Sequence, residues 1–190
     1  MKLNKSIVWA FVIMVLVAAL YRIIPNRPAG FAPQMALALF GGAMIKDKKW
    51  AFALPIFSIF LSDLLYEVLY INGLTDLPGF YVGQVTNYLL FTAVTCIGFL
   101  MKRVSLKSVS GYSLVTSTLF FLASNFMVWL NGAGFVRPKT WDGLILCYSD
   151  ALPFYRGSLI ATVVFSFLLF GGYYLLYKPA FQAMATKQVY

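Results

Sequence analysis

The sequence predicts an all-α, polytopic membrane protein, a six-helix transmembrane bundle with both termini cytoplasmic. Two observations lead there. The 190 residues are 61% hydrophobic with a mean hydropathy of +0.81, which leaves too little polar surface to cover a soluble domain. Apolar runs near or above the length of about 20 residues that a spanning helix needs recur over roughly 6–24, 50–71, 80–101, 111–131 and 152–177, with a shorter one over 31–45. No repeat, low-complexity tract or long linker divides the chain, so residues 1–190 read as a single transmembrane domain.

The first run follows Lys2 and Lys5, and its length favours an uncleaved span over a signal peptide. The second, 31–45, is barely long enough to cross at about 1.5 Å per residue. Pro33 suits its first turn, and Ala38 and Gly42 stand at small-xxx-small spacing for close helix contact. The third carries Asp63 and Glu67 within "IFSIFLSDLLYEVLY". The fourth opens near Gln84 and Asn87. The fifth closes on "SNFMVWLN", with Ser124, Asn125, Trp129 and Asn131, and the sixth opens on "ALPFYRG", with Tyr155 and Arg156.

Charge sets the direction. Lys2, Lys5, Lys46, Lys48, Lys49, Lys102, Arg103, Lys107, Lys178 and Lys187 fall on one side of six spans, against Arg22, Arg27, Arg137 and Lys139 on the other, with Arg156 just inside the last helix. By the positive-inside rule the lysine-rich side is cytoplasmic. If 31–45 only dipped in and returned, this asymmetry would vanish. The formal charge of +9 lies in short clusters between apolar runs, as expected of loops against lipid headgroups rather than of a nucleic-acid surface.

Counting depth from the helix ends gathers the polar residues in the outer half. Asp63 lies roughly 20 Å and Glu67 roughly 26 Å along the third helix. An intramembrane carboxylate faces the bundle interior, a partner or water. Spaced four apart, the two acids share a face and repel unless one is protonated or a cation intervenes, and Arg156 is the nearest cation by depth. Either these three only brace the packing, or they line a ligand pocket with Asn87, Asn125 and Trp129. Asn87 and Asn125 equally suit interhelical hydrogen bonds, and Trp129, Trp141 and Tyr148 an interfacial aromatic belt.

Two outer connections stand out. "YRIIPNRPAGFAP" is stiffened by Pro25, Pro28 and Pro33 and presents Arg27. "NGAGFVRPKTWDGLILCYSD" is long and aromatic; "WDGLILCY" within it, holding Trp141 and ending at Tyr148, suits a short amphipathic lid or a loop that covers helix ends. The absence of His removes His-based metal sites and Ser–His–Asp or Cys–His catalysis. Cys96 and Cys147 lie at different depths, which argues against a disulfide, and a small buried apolar role suits Cys147. No nucleotide-binding loop or catalytic constellation appears, so neither enzyme activity nor a cofactor is expected, and any energy comes from a gradient or a partner.

The order of "RIIPNRPAGFAPQMALALFGGAMI", "ALPIFSIFLSDLLYE", "SNFMVWLNGAG" and "WDGLILCYSDALPFYRGSLIATVVFSFLLFG" resembles an uncharacterised family of small bacterial inner-membrane proteins, a domain of unknown function, over about residues 20–175. Members often carry a polar or acidic residue near Ala161, which is apolar here. More distantly, the layout is similar to the S components of energy-coupling-factor vitamin transporters, which capture substrate with outer loops and work with an ATPase module on other chains. The resemblances imply the bacterial cytoplasmic (inner) membrane and, as partners, the lipid bilayer, a small-molecule substrate and an energising module. The expected function is small-molecule binding, as an uptake transporter or substrate-capture subunit, for a zwitterionic or amide-rich ligand; the alternative is an assembly or accessory protein that binds an envelope partner. A lipid-modifying enzyme using Asp63 or Glu67 lacks a second catalytic group.

Overall fold

The computed structural model describes residues 5–131 and 137–187, with side chains over 9–131 and 137–175. Six helices follow one another: α1 (Lys5–Arg22), α2 (Gln34–Met44), α3 (Lys48–Ile71), α4 (Gln84–Phe99), α5 (Leu106–Asn131) and α6 (Trp141–Lys187). Among the described residues there is no strand. Three of the helices, Lys48–Ile71, Leu106–Asn131 and the Trp141–Leu175 part of α6, are long and apolar enough to cross a membrane, whereas the Trp9–Arg22 part of α1, α2 and α4 are apolar but shorter.

Local chemistry fixes the ends. Asp47 caps α3, its carboxylate accepting the Lys49 N–H at 3.0 Å, and Ser105 Oγ does the same for the Ser108 N–H at the start of α5. The helix α3 stops where Gly73 turns left-handed (φ +67°) and the Leu74 N–H returns to the Leu69 carbonyl. Gly83, also left-handed (φ +95°), starts α4.

Contacts between helices give their directions. Phe11 meets Trp50 and Arg22 meets Ser62, so α1 and α3 run parallel. Phe52 meets Phe99 while Asp63 meets Gln84, so α4 returns alongside α3. Thr118 meets Tyr155 and Asn125 meets Cys147, so α5 and α6 are antiparallel. Odd-numbered helices thus point one way and even-numbered helices the other.

The core is α2. It packs against α3, α4, α5 and α6, and nine of its 11 residues are buried. At its far end the backbone lies on that of α4, where Gly42 and Gly98 face one another. Gly41 sits over the Ala51 carbonyl, which Pro55 leaves without its usual helical N–H partner. Of the small-residue pair, Gly42 stands at this close approach and Ala38 is fully buried.

The last helix departs from the sequence prediction. It begins at Trp141, not near 152, because Thr140 caps it, Oγ1 accepting the Gly143 N–H at 3.2 Å. The stretch "WDGLILCY" is therefore the first turns of a 47-residue helix rather than a separate lid. Trp141 is 80% exposed and covers nothing in the bundle. Residues 132–136 of the same connection lie outside the described residues.

Candidate functional site

Asp63 is 1% exposed on α3. Its Oδ1 pairs with Arg22 Nη1, and its Oδ2 accepts from the Tyr88 hydroxyl and the Gln84 amide, each at 2.7 Å. The same Arg22 nitrogen donates to Ser62 Oγ at 2.6 Å. The guanidinium stands over the Tyr66 ring, 5.6 Å from its centroid. Three helices are thereby tied at one level by a carboxylate whose two oxygens are both occupied.

Arg22, not Arg156, is the counter-charge. Arg22 closes the 18-residue α1, and equal rises along parallel α1 and α3 bring it to Asp63. Arg156 follows Trp141 by 15 residues, about 22 Å down α6. It is exposed there and pairs with no acid among the described residues; the ion pairs are Arg22–Asp63 and Arg137–Asp150.

Glu67 serves a different element. Its Oε2 accepts the backbone N–H groups of Gly79 (3.0 Å) and Phe80 (3.2 Å), folding the connection after α3 back over that helix. Gly79 is buried where a side chain would meet the Asp63 carbonyl and the Glu67 backbone, so glycine is what lets the loop seat. Gln84 bridges this loop to Asp63 by also donating to the Gly79 carbonyl at 3.3 Å. The two acids share a face, as predicted, but each has its own partners, and among the described residues no side-chain cation pairs with both. Glu67→Gln is expected to weaken two charge-assisted bonds by about 1.5–3 kcal/mol in all. Amide exchange at Gly79 and Phe80 would quicken at least tenfold while that of α2 stays unchanged; equal protection would deny the latch.

Beside the pair opens a cleft of about 350 Å³ lined by Arg22, Arg27, Asp63, Tyr66, Leu77, Pro78, Gly79 and Tyr81. Arg27 reaches it from the proline-rich connection, with Nε on the Arg22 carbonyl (2.8 Å) and Nη1 on the Phe31 carbonyl (3.2 Å). The connection is recessed. From Asp63, α3 continues eight residues, about 12 Å, to Ile71. On the other flank Gly157 packs on Ala29, 16 residues and about 24 Å from the start of α6.

The remaining predicted site residues do not join this cleft. Asn87 donates to the Tyr81 hydroxyl (2.8 Å) and lines a second groove of about 180 Å³ between α4 and α5, with Ser124 and Asn131; Tyr81 borders both this groove and the cleft. Asn125 spends its amide on the Phe121 carbonyl of its own helix. Trp129 donates to the Pro138 carbonyl at 2.9 Å beneath Lys139, and Tyr148 to the Leu122 carbonyl at 2.8 Å; both close the α5–α6 hairpin. Cys147 is buried on Asn125. Tyr66, Tyr81 and Tyr88 were not singled out from the sequence, and their spacing against an apolar background carries no facing signal.

Fold and site together define an all-helical bundle with three apolar helices of membrane length and a buried arginine–carboxylate cluster beside a cleft at one end. The chain belongs to DUF6580, a family of unknown function, whose model matches residues 2–184. No curated protein and no solved structure matches it.

Proposed function

We propose that this protein is a small-molecule-binding membrane protein, an uptake transporter or substrate-capture subunit of the S-component kind. In this reading it crosses the bacterial inner membrane six times with both termini cytoplasmic and binds its ligand in the cleft beside Arg22 and Asp63. The observation that carries the reading is the recess around that cleft. Non-helical backbone at membrane depth is tolerated only where it is enclosed by protein or lines a water-filled cavity. The 23–33 connection, well below the ends of α3 and α6, satisfies that condition if the recess is wet and open to the outside. The short α2 needs no lipid-facing length, since its neighbours enclose it.

The cleft has the size of a small-ligand site and combines aromatic walls with a few convergent polar groups. Uptake would follow capture from outside and release inward through tilting or through an energising ATPase partner. Native mass spectrometry of gently purified protein tests the reading. A defined adduct that disappears in Leu77→Trp, a bulky change at an exposed wall that lines the cleft and not the second groove, is the expected result; bare protein throughout would reject it.

The full satisfaction of Asp63 favours a second reading, an accessory protein in which the cluster only braces the bundle. Recovery of one stoichiometric envelope protein, with no adduct, would select it.

A further inference from the structure

We infer that the cleft takes an oxyanion: a carboxylate or phosphate head carried on an apolar or aromatic body, with Arg27 as its principal partner. The inference rests on the reading of this cleft as a binding site and goes beyond it by assigning charge. The lining contains Arg22, Arg27 and Asp63, two cations against one anion. Asp63 is already committed to Arg22, Gln84 and Tyr88, so its acceptor capacity faces protein. Glu67 is engaged by the Gly79 and Phe80 N–H groups and does not line the cleft. What remains to meet a ligand is positive.

Arg27 is the group left over. Its two hydrogen bonds end on backbone carbonyls, which orient the guanidinium without neutralising it, and no carboxylate pairs with it among the described residues. A planar guanidinium held at Nε and Nη1, with Nη2 unengaged among the described residues, is arranged to meet an oxyanion. Leu77, Pro78 and the Tyr66 and Tyr81 rings supply an apolar wall beside it. The expectation of a mixed-charge ligand counted free carboxylates and Arg156; with both acids engaged and Arg156 elsewhere, that expectation gives way to an anion.

A free metabolite and a lipid headgroup share this chemistry, and the test separates them. Wild-type protein in phosphatidylcholine nanodiscs is titrated with benzoate, phenyl phosphate and benzylamine by ligand-observed NMR. Saturable binding of at least one of the two anions, and not of the amine, is expected. Arg27→Gln should weaken it about tenfold or more, and Arg27→Lys less. Phosphatidylglycerol in the disc that displaces the probe assigns the site to a lipid head; failure to displace assigns it to a soluble anion. Equal binding of benzylamine, indifference to Arg27→Gln in folded protein, or no binding of either anion overturns the inference, and the wild-type comparison needs no variant to fold. A neutral or cationic adduct that vanishes in Leu77→Trp would sink the anion while keeping the pocket. Bare protein that also ignores every probe would remove both.

Discussion

Arg22→Met is expected to destabilise the protein by about 3–5 kcal/mol, because it leaves the Asp63 carboxylate buried with only a hydroxyl and an amide for company. Asp63 is 2% exposed at its side chain, so it borders the cleft with almost none of its carboxylate surface in contact with water. The converse change, Asp63→Leu, should cost less. The Arg22 side chain is 19% exposed and borders the cleft, so an unpaired guanidinium can turn toward solvent. The double variant Arg22→Met/Asp63→Leu should recover at least about 2 kcal/mol of the summed losses, as coupled buried charges do in double-mutant cycles. Equilibrium unfolding in mixed micelles measures all four corners. Losses that simply add would mean that Tyr88, Gln84 and Ser62, not the ion pair, hold the three helices together.

The same cluster shows what was legible in the sequence and what was not. The number and order of the helices follow from apolar run length and charged interruptions, because each turn carries its own chemistry: Asp47 before α3, Gly73 after it, Gly83 before α4. The level of Asp63 and Glu67 along α3 follows from rise per residue alone. The facing of each helix does not follow. In a bundle whose outer surface is as apolar as its core, periodicity carries no inside and outside, and Asn87, Asn125 and Arg156 cannot be told from Gln84 and Tyr88 by pattern. Arg156 was chosen for its depth counted from a helix start near 152. It lies instead 15 residues inside α6, whose start is set by the small hydroxyl of Thr140. Arg22, at the end of the first apolar run, reads as a loop cation until α1 and α3 are known to run side by side.

Gly42→Val addresses the other feature on which the bundle depends, the crossing of α2 over α4. A Cβ at Gly42 would strike the Thr95 carbonyl and come within 2.9 Å of the Gly98 Cα, and one at Gly98 would come within 2.6 Å of the Leu39 carbonyl. These are backbone atoms, which no side-chain rotamer change relieves. Since α2 also touches α3, α5 and α6, it cannot lift from α4 without disturbing the other helices packed around it. Overpacking usually costs about 1–3 kcal/mol, and a site walled by backbone on a central helix belongs at or above the upper end of that range. The comparison that isolates the crossing is Gly111→Val, on α5, where an added Cβ meets nothing within 4 Å. That variant should stay within about 1 kcal/mol of wild type, because valine is no poorer a helix former than the glycine it replaces and meets no neighbour. Thermal melts in one detergent rank the three proteins. Gly42→Val far below the others ties stability to backbone contact between α2 and α4; Gly42→Val and Gly111→Val melting together would mean that the two helices can separate by a methyl group at no cost, and that the buried α2 is held from its other sides.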